Sequence, residues 1–159
     1  MAQTTDRATL SQGYPIMTEP VLKTSNCRWI AVPGASDARG SINFLEVGKG
    51  MPFRPQRLFW LHHVVPGQWR GRHGHRESEL MMVALHGACQ VHLDDGRATE
   101  QVALDDPAKG LFVGTWVWHE LTDFTPQAAI LVIASTLYDE AEYLRDYEVF
   151  KREAAVRAA

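Results

Sequence analysis

Apolar and polar positions alternate in short runs through most of this chain, and only near the C-terminus does the period lengthen. Cys89, Val91 and Leu93 alternate with Gln90, His92 and Asp94, a period of two that gives a strand one buried and one open face. Ala128–Thr136 is apolar almost throughout, which predicts a strand covered on both faces. Between two such runs stands Asp94-Asp95-Gly96-Arg97, a hairpin signal because glycine accepts positive φ. Strands are predicted at Arg28–Val32, Ser41–Val47, Arg57–Val65, Glu79–Leu85, Ala88–Leu93, Ala98–Leu104, Leu111–Val113, Val117–Asp123 and Ala128–Thr136. Many short strands separated by turns are the pattern of a sandwich or barrel.

The last segment changes period. Tyr143, Tyr147 and Phe150 stand at helical spacing, and Asp139 and Glu140 precede them, where acidic groups favour a helix N-terminus. This predicts a C-terminal helix that covers the barrel or a partner subunit. At the other end, residues 1–25 are polar and turn-rich, with Pro15 and Pro20, and read as a polar arm before a domain at 26–155.

A chain of 159 residues, 45% hydrophobic and 22% charged, is long enough for one domain with a real core. Its net charge of −3 argues against a nucleic-acid binder. Yet Arg54, Arg57, Arg70, Arg72 and Arg76 crowd the middle, which leaves room for a local anion site. Cys27 and Cys89 are far apart without metal-type spacing and read as two free thiols. No signal-peptide pattern opens the chain and no apolar run approaches the ~20 residues of a membrane span. A cytoplasmic protein without membrane contact is expected.

The chemistry concentrates in Gly67-Gln-Trp-Arg-Gly-Arg-His73-Gly-His75-Arg-Glu-Ser-Glu79. His73, His75 and Glu79 share parity, so an extended segment points them to one face. Two imidazoles with a carboxylate can bind a metal or manage protons. His62, His63, His86 and His92 read as structural or exposed, Arg72 and Arg76 as a solvated face, and Trp60, Trp69, Trp116 and Trp118 as packing.

The spacing from Gly67 to His73, His75 and Glu79 resembles the first motif of the cupins. The second cupin motif is weaker, because counted from Gly110 the histidine, His119, arrives two residues early. A narrower resemblance covers roughly Asp37 to Lys151. Asp37-Ala-Arg-Gly-Ser-Ile, Arg57-Leu-Phe-Trp, Arg70-Gly-Arg-His-Gly-His-Arg, Val91-His-Leu-Asp-Asp-Gly, Val117-Trp-His-Glu and Tyr138-Asp-Glu-Ala-Glu-Tyr-Leu-Arg-Asp-Tyr are similar to the WxcM-like cupins, the nucleotide-sugar 3,4-ketoisomerases. That family usually has Ala where Gly74 stands.

The resemblance implies an all-β fold, a single cupin jelly-roll barrel with a C-terminal helix. It implies metal-free isomerisation of dTDP-4-keto-6-deoxyglucose to its 3-keto isomer, without cofactor, on a route to amino sugars. A homodimer exchanging N-terminal strands is implied as well. The proton beside the ketone is acidic, and histidine, with an ordinary pKa of ~6.5, suits its removal and return. His75 is expected as the main base, His73 as its partner, and Glu79 as the carboxylate orienting His75. Arg57 and Arg70, then Arg39, are expected to hold the diphosphate through their planar forks, and His119 to line the pocket. The alternatives are a metal-dependent cupin enzyme using His73, His75, Glu79 and His119, a non-catalytic sugar-nucleotide-binding cupin, and a 3,5-epimerase.

Overall fold

The structure, a computed structural model, describes residues 20–157. In chain order the strands are β1 (Cys27–Ala31), β2 (Gly34–Asp37), β3 (Gly40–Asn43), β4 (Arg57–His62), β5 (Arg70–His75), β6 (Leu80–His86), β7 (Cys89–Asp94), β8 (Thr99–Leu104), β9 (Lys109–Val113), β10 (Trp118–Thr122), β11 (Ala129–Ala134) and β12 (Tyr143–Leu144), followed by helix α1 (Tyr147–Arg157). They form two antiparallel five-stranded sheets, ordered β1-β9-β6-β11-β4 and β12-β5-β10-β7-β8, with β2 and β3 as a separate hairpin. From β5 to β11 the chain passes repeatedly between the sheets, which is the jelly-roll arrangement. The sheets remain open at their edges, so the expected barrel is more accurately a two-sheet jelly roll.

Alternation along the strands explains the core. Leu80, Met82 and Ala84 of β6 and Ile130, Val132 and Ala134 of β11 pack with Val91, Leu93 and Leu121 of the second sheet. Fully burying each large aliphatic chain contributes about 1.5–3 kcal/mol. The other face of the first sheet, with Met81, Val83 and Ile133, is covered by Leu45, Met51 and Phe53. That second cover explains why β11 is apolar at consecutive positions. The hairpin at Asp95–Ala98 forms as expected, with Gly96 at φ 87°.

The second sheet is covered on its outer side by α1. Phe150, fully buried, and Ala154 pack against Trp118 and Leu144. Gly74 lies under this helix, and a Cβ there would stand 3.3 Å from the Phe150 ring. Both thiols are free and buried, and burial pushes Cys27 up to about 11 and Cys89 up to about 12.

Several boundaries differ from expectation. The predicted strand Ser41–Val47 is cut to β3, which ends at Asn43, and β2 was not anticipated. The helix does not take in Tyr143. Asp139 instead caps a single 3-10 turn, Glu140–Glu142, after which Tyr143 and Leu144 pair with β5. Of the polar arm, residues 1–19 lie outside the described residues. Residues 23–25 dock on the body, where the Lys23 and Thr24 amides donate to Glu100 and the Ser25 amide donates to Asp95.

Candidate active site

β5 carries the His-x-His pair, and its irregularity decides which side chains share the site. His119 of β10 stands opposite His73, Glu120 opposite Gly71, and Leu121 opposite Arg70, so Arg72 is an inserted bulge residue. Arg72 has φ 59° and Gly71 has φ 81°. A bulge reverses the alternation beyond it. Arg70 therefore joins the face of His73, whereas simple alternation would set it opposite. Arg72 turns outward, pairs with Glu120 at 3.4 Å and lies over the Trp69 ring.

Three imidazoles meet on the inner face. The His73 ring centroid is 4.8 Å from that of His75 and 4.6 Å from that of His119. His75 and His119 are 3% and 2% exposed, while His73 is only partly buried. Burial pushes His73 down to about 4, helped by the neighbouring His75. Burial also holds His119 well below its ordinary value, and lowers His75 against the opposing pull of Glu142. Burial thus favours the neutral form of all three rings.

Glu142 locks one of these rings. Its Oε1 lies 3.1 Å from His75 Nδ1. The carboxylate also accepts from the Ser78 amide at 2.8 Å, the Glu77 amide at 3.2 Å and the Ser78 hydroxyl. Burial raises the Glu142 carboxyl, but hydrogen bonds from Ser78 and from the Glu77 amide outweigh it and leave the group below its usual range. An ionised carboxylate only accepts, so His75 Nδ1 carries the hydrogen and Nε2 keeps its lone pair. This is the carboxylate partner that parity assigned to Glu79. Glu79 lies beyond the bend at Arg76–Glu77, where the alternation from His75 is broken, and its backbone pairs with Ser135 instead.

Tyr143 completes the cluster. It stands opposite His75 across β12 and β5, with its ring 4.5 Å from His75 and 4.8 Å from His73. Arg57 Nη2 donates to the Tyr143 hydroxyl at 3.4 Å. Arg145 lies 4.6 Å from the Tyr143 ring and pairs with Glu140.

Of the predicted residues, His73, His75 and His119 thus converge, with Arg57 beside them and Arg70 on the same face. Arg39 does not join them within the chain. It sits on the β2–β3 hairpin, its side chain 88% exposed and paired with Asp37. Glu142, Tyr143 and Arg145 were missed as functional residues because their segment read as a packing helix. Their signal was present in the Tyr138–Tyr147 motif itself.

Among the described residues, Arg57 Nε, His73 Nδ1 and His119 Nδ1 are buried side-chain nitrogens without a hydrogen-bond partner. Native proteins rarely leave such atoms unsatisfied unless a ligand or function uses them. The nitrogens of the three histidines lie within 4.8 Å of one another, a donor set that a metal could also use. A separate cleft of about 660 Å³ lies on the outer face of the same sheet, lined by Arg72, Asp94, Trp118, Glu120 and Tyr147. The unpaired histidine nitrogens belong instead to the cluster on the inner face.

The chain is 41% identical over 116 residues to the TDP-4-oxo-6-deoxy-alpha-D-glucose-3,4-oxoisomerase of Aneurinibacillus thermoaerophilus, a match covering 73% of this chain and 84% of that protein. Among solved structures, a 3,4-ketoisomerase from Helicobacter canadensis is 35% identical with a TM-score of 0.79, over 82% of this chain and 98% of that one. The sugar 3,4-ketoisomerase QdtA from Thermoanaerobacterium thermosaccharolyticum, in complex with TDP, is 30% identical with a TM-score of 0.82, over 85% of this chain and 98% of that one. With residues 25–155 matching the family model, the chain belongs to the FdtA family, described as WxcM-like, C-terminal.

Proposed function

We propose that this protein is a nucleotide-sugar 3,4-ketoisomerase that moves the keto group of a thymidine-diphosphate-linked 4-keto-6-deoxyhexose from carbon 4 to carbon 3. The observation that carries this reading is the cluster of neutral imidazoles, His73, His75 and His119, with one ring locked by Glu142. The similarity to an oxoisomerase over 84% of that protein supports the choice of substrate.

The reaction needs a base for the carbon 3 proton, an acid to deliver a proton to carbon 4, and charge to hold the enediolate between them. His73 is the ring best placed to meet the sugar, because His75 and His119 are nearly closed off from solvent. It takes the carbon 3 proton and returns it to carbon 4. His75, the main base on sequence grounds, becomes the fixed neutral neighbour that Glu142 orients. Proton transfer of this kind typically contributes ~10²–10⁴-fold in rate. Arg57 places positive charge beside the developing enediolate. Arg70, on the histidine face, is suited to the diphosphate.

Exposed Leu58 and Trp60 follow the apolar outer face of β11 onto the edge strand β4. A second copy covering them would give the homodimer expected for the family. Light scattering tests this, with a monomer at micromolar concentration as the contrary result. Among the described residues no helix is long and apolar enough to cross a membrane. A cytoplasmic setting suits a sugar-nucleotide substrate. Incubation with the 4-keto sugar nucleotide, followed by proton NMR, tests the activity. Appearance of the 3-keto isomer supports it, and an unchanged spectrum contradicts it.

A further inference from the structure

Two histidines outside the active-site cluster stand side by side at the end of an edge strand. His62 closes β4 and His63 follows it, and both are exposed. We infer that this pair is a binding site for a divalent transition-metal ion of the imidazole-preferring kind, copper(II) before zinc(II). The inference does not depend on the ketoisomerase reading, because β4 lies in the first sheet and the strands of the three active-site imidazoles lie in the second.

The local backbone creates the site. Consecutive residues of a regular strand point to opposite faces, so adjacent histidines within β4 would be held apart. At His63 the chain instead takes φ 52°, in the left-handed region, which histidine enters more readily than most side chains. The turn brings the second ring back to the first. The ring centroids stand 4.8 Å apart, edge to face, and the two Nδ1 atoms 2.6 Å apart. His62 continues the outward row of Leu58 and Trp60, so the pair opens to solvent. It lies about 16 Å along the strand from Arg57, counted at ~3.3 Å per residue.

The chemistry follows from that separation. At 2.6 Å only one hydrogen fits between the two nitrogens, so one Nδ1 donates and the other accepts. When the donor ring carries its hydrogen on Nε2 instead, two lone pairs converge and suit a cation. Two imidazole nitrogens bound to one ion at about 2.0–2.1 Å stand about 2.9–3.3 Å apart, so the rings need to open by less than about 1 Å. Exposed side chains can move this far without disturbing the core. Nitrogen and water ligands favour copper(II), which tops the affinity order of the first-row divalent ions. Among the described residues, the only group of three or more candidate ligands is His73, His75 and His119, so water completes the coordination at His62 and His63. An ion held here is remote from the reacting groups. Copper retained by the purified protein is then assigned to the end of β4 rather than to the reaction.

Calorimetric titration of the full chain with copper(II) chloride tests the site, using His73→Asn as the background so that the three-imidazole set is broken. That protein should bind one ion per chain. Adding His63→Asn should weaken binding at least about tenfold, since even losing the hydrogen-bond partner of a ligand costs about 10–100-fold. Asparagine accepts the left-handed backbone at this position, and His62→Gln serves in its place should that variant not fold. Electron paramagnetic resonance of the bound copper should show splitting from two nitrogen ligands. Unchanged affinity in the double variant, splitting from fewer than two nitrogens, or no copper bound by the His73→Asn protein would each overturn the inference.

Discussion

His75 and Glu142 are 67 positions apart in the chain and are joined by a hydrogen bond of 3.1 Å in the interior. The contact exists because β12 adds to the edge of the second sheet beside β5, and because the Arg76 amide donates to the Glu142 carbonyl at 3.0 Å. Glu142 thereby fixes both the position and the tautomer of His75.

Glu142→Gln keeps the size of the side chain and its acceptor oxygen for the Ser78 amide, but removes the charge facing His75. Isomerisation should fall by about 10²-fold, the usual scale of a lost acid–base orientation, while thermal melting shows the variant folded. Unchanged turnover in a folded Glu142→Gln protein would contradict a role for this pair.

The neutral histidines set the response to acid. With His73 near 4 when folded and ~6.5 when unfolded, the unfolded chain binds more protons between those values. Stability from this group is complete above about pH 6.5 and is lost as pH falls toward about 4. Urea midpoints should decline over that window, and less steeply in His73→Asn. The acid limb of kcat/KM should likewise lie below 6.5, because the base stays unprotonated to lower pH. An acid limb at or above 6.5 would contradict the burial argument.

Much of the fold was legible from alternation, and what escaped has identifiable causes. The strands of the core announce themselves because Cys89, Val91 and Leu93 face inward and Gln90, His92 and Asp94 do not. The two-residue strand β12 is too short to show a period, and the spacing of Tyr143, Tyr147 and Phe150 matched a helix by coincidence. Only Tyr147 and Phe150 belong to α1. The bulge at Arg72 is equally hidden, since it puts a non-glycine residue at positive φ to suit the pairing with β10. Glu79 shared the parity of the histidines, but parity carries no information across the bend at Arg76–Glu77. The histidines and Arg57 were legible because they sit in strands. Their carboxylate partner was not, because a long-range turn supplies it.

The bulge makes its own prediction. A Cβ on Gly71 would lie 2.8 Å from the carbonyl oxygen of His119, at a backbone φ of 81° that L residues rarely adopt. Gly71→Ala should cost about 1–3 kcal/mol and displace β10 from His73. Lowered melting together with lowered turnover is the expected pair of results, and a wild-type melting temperature would show the close approach to be dispensable.

Arg70 shares the histidine face only through that bulge, and its assigned task is the diphosphate. Arg70→Ala should lose a charge-assisted contact of about 1.5–3 kcal/mol, seen as a KM raised at least about tenfold with kcat largely kept. An unchanged KM removes Arg70 from the binding set.

The three-imidazole cluster could also hold a metal, whereas proton transfer by the imidazoles themselves requires none. Dialysis against a chelator should leave turnover unchanged. Activity lost to the chelator and restored by a divalent ion would favour a metal-dependent route.

The central claim is that histidine moves a proton between carbons 3 and 4 of a keto sugar. The most direct measurement is proton NMR of the thymidine-diphosphate-linked 4-keto-6-deoxyhexose in deuterium oxide with wild-type, His73→Asn and His75→Asn proteins. The account predicts loss of the carbon 3 signal and appearance of the 3-keto isomer with wild type. It predicts neither with His73→Asn, and slowed but measurable exchange with His75→Asn. Near-normal exchange by His73→Asn would contradict it and return the base to His75 or His119.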